Sequence, residues 1–352
     1  LFGSRPGCST ENMASKRCRP RTRGQFSTSP VIRRTERPST LRRHTATLSR
    51  NLAEATILPL VNALTFDIED YFQVSGFESV ISRSQWDQFP SRVVPFTERI
   101  LEILAECNIQ ATFFVLGWVA RRVPKLIRMI HGSGHEIGSH SMEHRLVYDL
   151  SPDDFRKDLR ESLKLLEDIT GAAVRSFRAP SFSITKQSLW ALEVLAEEGI
   201  TCDTSIYPIV HDRYGIPHAR MEPHRIQTES GTLWEFPGTA LSWMGVRIPL
   251  GGGGYLRLYP LRLTRWLFRQ VIRQGRPIMM YVHPWELDPD QPRVRGISAI
   301  SRFRHYVNLS STEKKLRGLL QAFSWGHLGE ALATWQSRSA NCDDIVPVHA
   351  LA

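Results

Sequence analysis

The chain has 352 residues, of which 41% are hydrophobic, and this is enough for one large α/β domain with a buried core. Its net charge of +10 comes from residues 1–53, which contain twelve Lys or Arg and two acidic residues. The remaining 33 basic and 33 acidic residues cancel, so the body lacks the basic excess needed to bind a phosphate backbone. We therefore expect no nucleic-acid partner.

Residues 1–56 are rich in Arg, Ser, Thr and Pro, which is typical of a disordered tail, of a mispredicted start or of a targeting segment. No apolar run resembles a secretory signal or approaches the ~20 residues of a membrane helix. The five cysteines are scattered and form no C-x-x-C pair, which weakly indicates a reducing compartment. These features predict a cytoplasmic location, which includes the inner face of the membrane.

The predicted elements alternate between strand and helix along the chain. Apolar runs predict strands at 61–66, 111–116, 136–139, 174–178, 200–203, 233–236 and 277–282. Helical spacing and capping residues predict helices at 94–107, 118–131, 152–170, 185–198 and 260–274. This alternation is typical of βαβ units around a mostly parallel sheet.

The segment His140-Ser-Met-Glu-His144 places two histidines four residues apart. If the segment is helical, both imidazoles point the same way and suit Zn²⁺ or a related divalent ion. A third ligand from a carboxylate would leave a coordination position open for water. Taken alone, the pair is weak evidence, because two surface or capping histidines would give the same pattern.

Asp67, Glu69 and Asp70 crowd three acids behind the first predicted strand, beside Tyr71 and Phe72. Like charges so close in an apolar setting are costly unless a cation neutralises them. One acid could bind a metal and another could take a proton from water. A solvated loop is the alternative interpretation.

Three further polar residues each follow a predicted strand: Arg178, Asp203 and His283. Because the carboxyl ends of parallel strands gather on one face, we expect these residues to lie near Asp67 and His140. An arginine can clamp a carboxylate, and a histidine can act as a general acid. A structural ion pair and a buried, satisfied histidine are the alternatives.

Together these motifs resemble those of the NodB-homology polysaccharide deacetylases, carbohydrate esterase family 4. The resemblance covers about residues 58 to 325. Four segments look like the subgroup found in bacterial exopolysaccharide and exosortase-associated clusters: Asp67–Gln73, Gly251–Tyr255, His283–Pro289 and Arg302–Tyr306.

The resemblance implies a distorted (β/α) barrel of mostly parallel strands over residues 57–285. A C-terminal flap and helix at 286–335 and a tail at 336–352 are expected to follow. It also implies a hydrolase that removes N-acetyl groups from amino sugars of a polysaccharide or its lipid-linked precursor. A divalent metal is expected, with Zn²⁺ preferred over Co²⁺ or Ni²⁺.

The family pattern implies a role for each matching residue. Asp67 is expected to be the base, held by Arg178, and His283 the acid, tuned or oriented by Asp203. His140 and His144 are expected to bind the metal. The family's adjacent aspartates are interrupted here by Ile68, so the third ligand is Asp70, which we prefer slightly, or Glu69. Aromatic residues are expected to line the substrate groove: Phe182, Tyr255 and Trp285, with Trp243 as a further candidate.

Two other functions use the same residues. Some relatives of this fold hydrolyse small cyclic amides, as in allantoinases and imidases. A glycan-binding pseudoenzyme is the non-catalytic alternative, and the intact acids and histidines argue against it.

Overall fold

The structure, a computed structural model, describes residues 60–338 and 345–351. The basic segment 1–56 lies outside these residues, so its interpretation as a tail stays a prediction. One principal core runs through the described chain and surrounds β1 (Asn62–Ile68), all seven residues of which are buried.

Within the described residues, eleven further strands follow β1: β2 Thr112–Val115, β3 Glu136–Ser139, β4 Ser176–Phe177, β5 Cys202–Asp203, β6 His224–Gln227, β7 Thr232–Glu235, β8 Ala240–Trp243, β9 Val246–Pro249, β10 Met279–Val282, β11 Trp325–Gly326 and β12 Ile345–Pro347. The main sheet has the order β10-β1-β2-β3-β4-β5-β7-β6-β12, with β11 beside β1. Its pairs are parallel except β6–β7, while β8 and β9 form a separate hairpin. The prediction of a mostly parallel α/β fold is confirmed.

The described part of the chain contains ten α-helices: α1 Val93–Cys107, α2 Gly117–Arg122, α3 Pro124–Gly132, α4 Pro152–Thr170, α5 Trp190–Glu197, α6 Gly253–Leu258, α7 Leu261–Arg273, α8 Ala299–Tyr306, α9 Thr312–Leu320 and α10 Leu328–Arg338. Helix α4 begins and ends as predicted. The Ser151 hydroxyl accepts a hydrogen bond from the Asp154 N–H, and Gly171 ends the helix at φ 72°.

The helix predicted at 118–131 is two helices. Val123 separates α2 from α3 with φ −129° and ψ 57°, because the ring of Pro124 disfavours helical backbone in the preceding residue. Proline then occupies the first turn of α3, where its missing N–H costs nothing.

The C-terminal part contains more regular structure than the sequence patterns indicate. The predicted flap includes α8, and β11 at Trp325–Gly326 pairs with β1. The predicted tail at 336–352 includes β12, which pairs in parallel with β6. None of the helices in the described ranges is both long and apolar enough to cross a membrane.

Candidate active site

Most of the predicted site residues line one cavity at the carboxyl ends of the strands. Asp67 lies near the end of β1, His140 follows β3 and His283 follows β10. These three, with His144 and Glu69, line a cavity of about 240 Å³. Arg178 follows β4 and lies directly behind Asp67.

Glu69, His140 and His144 form a group that could hold a metal ion, and each is 2% exposed. One ligand atom from each lies within 4.8 Å of the others. The Glu69 Oε2 atom is 2.8 Å from His144 Nε2 and 4.0 Å from His140 Nε2. Two imidazoles and one carboxylate are a donor set that suits Zn²⁺ and similar ions, with a position left for water or substrate.

The surroundings of these residues also fit a cation. His140 Nδ1 lies 2.8 Å from the Arg178 carbonyl oxygen, an arrangement that directs Nε2 into the site, as in known metal-binding histidines. Glu69 Oε2 is buried and has no hydrogen-bond partner among the described residues, despite its short distance to His144. Burial lowers the pKa of His140 to about 4, so its ring is neutral and able to act as a ligand.

Glu69 is ionised in this setting. Burial raises its pKa, but the nearby imidazole of His144 opposes this, and the imidazoles of His283 and His140 add to the effect. The result is a pKa lowered to about 2. Trp285 Nε1 donates to the Glu69 Oε1 atom at 3.3 Å, which fixes the carboxylate toward the histidines.

The slight preference for Asp70 as the third ligand is corrected by this geometry. The Asp70 carboxylate points toward the start of α1, where it accepts hydrogen bonds from the Ser91 hydroxyl at 2.5 Å and the Arg92 N–H at 2.9 Å. Because β1 stays extended to Ile68, Glu69 emerges on the same side as Asp67. Glu69 is therefore the carboxylate that we assign to the group.

The two histidines do not lie on a helix, which is the condition under which their spacing alone would point both imidazoles the same way. Residues 140–146 form a loop in which Ser141 and His144 have φ of 64° and 53°. Such backbone is costly for residues other than glycine and is retained mainly where the surrounding structure fixes it. The loop, and not helical spacing, brings both imidazoles to the same place.

Asp67 is held by Arg178, as the family resemblance implies. Arg178 Nη1 donates to Asp67 Oδ1 at 2.6 Å and to the Thr65 hydroxyl at 2.8 Å, and the guanidinium is fully buried. The other Asp67 oxygen, Oδ2, faces His283 Nε2 at 3.7 Å. Separating the two groups of such a buried pair would leave uncompensated charges, which is costly. The pair therefore holds the carboxylate in place.

His283 is oriented by Glu286, a residue that the sequence analysis missed. His283 Nδ1 lies 2.6 Å from Glu286 Oε1, and Arg257 Nε donates to Glu286 Oε2 at 2.7 Å. Burial lowers the pKa of His283, but the hydrogen bond to Glu286 and the charges of Glu69, Glu286 and Asp67 outweigh it, which gives a pKa of about 9. The spacing of three residues in His283-Pro-Trp-Glu286 could have indicated the contact, since it also closes a capping box.

The orienting role expected of Asp203 is therefore corrected. Asp203 is fully buried and does not line the cavity. Burial raises the pKa values of both Asp203 and its neighbour Glu235, so the two carboxyls share a proton. The Ser205 hydroxyl donates to Asp203 Oδ1 at 2.5 Å and accepts the Ala179 N–H at 2.8 Å, so Asp203 supports the turn that follows Arg178.

Two of the three predicted groove residues line the cavity. Phe182 and Trp285 do so, and Trp285 stacks between the rings of His283 and His305 at centroid distances of 5.0 and 4.2 Å. Tyr255 lines an adjoining cavity that shares His211, Tyr214, Tyr281 and Arg304 with the first. Trp243, the further candidate, lies on the β8–β9 hairpin and lines neither cavity.

Two protein families match consecutive segments of the chain, and these segments contain the residues of the site. Residues 63–200 match the family described as "Polysaccharide deacetylase", and residues 204–333 match a "Domain of unknown function (DUF3473)". The motifs that carry Asp67, His140 and Arg178 lie inside the first matched segment, whereas His283 lies in the second.

Curated relatives and a solved structure extend this result. A peptidoglycan-N-acetylglucosamine deacetylase of Bacillus cereus is 28% identical over 121 residues, which is 31% of this chain and 44% of that protein. A chitooligosaccharide deacetylase of Sinorhizobium fredii is 33% identical over 111 residues, which is 31% of this chain and 48% of that protein. The chain thus spans about half the length of these relatives.

A crystal structure of a Mycobacterium smegmatis protein assigned to the polysaccharide deacetylases has a TM-score of 0.50 and 19% identity. The structural match covers 83% of this chain and 97% of the Mycobacterium smegmatis chain. At this identity, the likeness shows that the two proteins share a fold.

Proposed function

We propose that this protein is a metal-dependent hydrolase that removes N-acetyl groups from amino sugars of a polysaccharide or its lipid-linked precursor. The observation that carries the proposal is the meeting of a Glu69–His140–His144 group with Asp67 and His283 in one cavity. The relatives named above deacetylate peptidoglycan or chitooligosaccharides, which supports an amino-sugar substrate.

Glu69, His140 and His144 would hold the ion, with Zn²⁺ preferred over Co²⁺ or Ni²⁺. When bound, a divalent cation supplies Lewis-acid activation of a carbonyl group and of water. The chain supplies the three ligands, and Trp285 and the Arg178 carbonyl fix two of them from behind.

The two remaining groups move protons. Asp67 Oδ2 faces the cavity because Arg178 holds Oδ1, so Oδ2 can take a proton from water as the water oxygen attacks the acetyl carbon. His283 is protonated at neutral pH and gives the proton on Nε2 to the sugar nitrogen as the C–N bond breaks. Acetate and a free amine leave, and the proton on Asp67 can return to His283, which lies 3.7 Å away.

We test this by comparing Asp67→Asn with His140→Ala. Asp67→Asn should keep the bound metal and lower kcat for acetate release from chitooligosaccharides by about 10²–10⁴-fold, the usual contribution of a general base. His140→Ala should lose metal and activity together. Metal content by mass spectrometry and acetate release are the two readouts.

His218→Ala is the control, because His218 is exposed and does not line the cavity. It should match the wild type in both readouts. Full activity of His140→Ala would refute the metal site. Ring opening of allantoin without acetate release would favour a cyclic-amide hydrolase. Glycan binding by the wild type without acetate release would favour a glycan-binding protein.

A further inference from the structure

The hairpin of β8 and β9 presents an apolar turn to solvent. Trp243, Met244 and Val246 at its tip are 46%, 91% and 65% exposed. Met244 and Gly245 both have positive φ, of 48° and 80°, which is the backbone of a tight two-residue turn. Large apolar side chains grouped in this way mark an interaction surface more often than ordinary solvent contact.

Helix α7 extends this apolar tip. The ring of Trp266 on α7 meets the ring of Trp243 edge to face, with centroids 5.4 Å apart. Leu263 lies almost one turn before Trp266, and both are 41% exposed. The tip and the helix thus form one surface, the hairpin–α7 surface, made of Trp243, Met244, Val246, Leu263 and Trp266.

Arginines surround this surface. Residues 236–285 contain seven Arg and no Lys, Asp or Glu, although the body of the chain is neutral. Arg262, Arg269 and Arg273 are exposed and lie on one stripe of α7 with Trp266, because their spacing returns to the same side of a helix. Among the seven, the buried Arg257 is the one that forms an ion pair within the described part of the chain.

This charge pattern differs from that of several other helices, where arginines have carboxylate partners, as in Arg99–Glu313 at 2.7 Å and Arg121–Glu161 at 2.5 Å. Among residues 60–338 and 345–351, no carboxylate pairs with the arginines of the α7 stripe, and these arginines are exposed to an external anion.

We propose that the hairpin–α7 surface docks on a membrane that contains anionic lipids. Tryptophan and other apolar side chains settle at the boundary between headgroups and acyl chains, and arginines bind the lipid phosphates. A second copy of this chain is a poorer occupant, since a symmetric contact would bring the two arginine stripes together. Nucleic acid would engage the arginines but leave the apolar tip without a partner. The inference does not depend on the proposed catalytic function.

The test is sedimentation of the full chain with vesicles. Wild-type protein should bind vesicles of phosphatidylcholine mixed with phosphatidylglycerol and should not bind pure phosphatidylcholine. Arg262→Gln/Arg269→Gln/Arg273→Gln should weaken binding by about 100-fold, since each arginine contributes about fivefold near an anionic surface.

Met244→Asp/Val246→Asp should also weaken binding to the vesicles that contain phosphatidylglycerol. Met129→Asp is the matched control, because Met129 is 45% exposed on α3, outside this surface, and it should bind like the wild type.

Segment 1–53 is present in every variant, so its basic charge cannot explain a difference between them. Equal binding by all variants would show that this segment suffices and would overturn the proposal, as would failure of the wild type to bind. A change in sedimentation-equilibrium mass in Met244→Asp/Val246→Asp would instead identify a second copy as the occupant. Acetate release from soluble chitooligosaccharides should be the same in all variants, which separates docking from catalysis.

Discussion

At the scale of single residues, the absence of a side chain at Gly253 makes room for the carboxylate that orients His283. A Cβ on Gly253 would overlap the Glu286 carboxylate. A Cβ on the adjacent Gly254 would meet nothing nearer than Arg257 Nη2 at 3.9 Å, which is ordinary contact. The run of four glycines is therefore not uniformly required, and its members differ in what they allow.

Gly253→Ala should displace Glu286, destabilise the protein by about 1–3 kcal/mol and lower kcat, because the displaced carboxylate no longer holds His283. Gly254→Ala should leave kcat unchanged and stabilise α6 slightly, because alanine favours a helix by up to about 1 kcal/mol over glycine. Thermal unfolding and acetate release measure both effects. Equal behaviour of the two variants would show that residue 253 tolerates a side chain.

The residues of the site differ in how far their roles could be predicted from the sequence. Asp67, His140, His144, Arg178 and His283 carry recognisable motifs and were all named from the sequence. The sequence could not decide between Glu69 and Asp70 as the third ligand, because the choice depends on which groups the Asp70 carboxylate contacts. Its partners Ser91 and Arg92 are more than twenty residues away, and no local pattern indicates that contact.

At the scale of elements, the loop that carries the two histidines is held by two helices. The Gly117 and Trp118 N–H groups at the start of α2 donate to the Ser141 and Met142 carbonyls at 2.9 Å. On the other side, Asp158 of α4 accepts the Met142 N–H at 2.7 Å. These contacts fix the loop that positions both imidazoles.

Asp158→Ala should weaken metal binding by about 10–100-fold, the usual cost of losing a group that orients ligands. Asp158→Asn should bind nearly as well, because the amide oxygen can still accept the Met142 N–H. Titration calorimetry with Zn²⁺ measures both. Asp168→Ala, an exposed position on the same helix that pairs with Lys164, should not change the affinity; if it did, the effect would belong to α4 as a whole.

Strands and long helices could be predicted because each has its own periodic signal, and most bounds were close to those observed. The loop between β3 and α4 has no such signal, since its positive φ values come from contacts with α2 and α4. Hairpin β8–β9 was also missed, because its turn residues Met244 and Gly245 give a weak pattern. The unpredicted parts are those fixed by tertiary contacts.

At the scale of the whole molecule, acid should destabilise the fold through His135. Burial lowers the pKa of His135 to about 4, and its Nδ1 accepts the Ala111 N–H at 3.3 Å. The unfolded chain takes up a proton near pH 6.5 while the folded chain does not. Stability is therefore lost as pH falls from 6.5 toward 4, by up to about 3 kcal/mol.

His135→Asn should reduce stability at pH 7 and remove part of this acid dependence, as measured by urea unfolding at several pH values. His131→Asn, at the end of α3, should keep the acid dependence of the wild type. An unchanged slope in His135→Asn would assign the acid sensitivity to other groups.

The position of β1 between β2, β10 and β11 has a consequence for biosynthesis. Asn62 at the start of β1 binds the Ile278 N–H and the Ser324 carbonyl, 216 and 262 residues away. Contacts so distant in sequence form slowly and only after the later segment exists. The strand that carries Asp67 thus lacks two of its three neighbours until the segments that contain β10 and β11 have left the ribosome. A nascent chain would be exposed to chaperones and proteases before it had a working site.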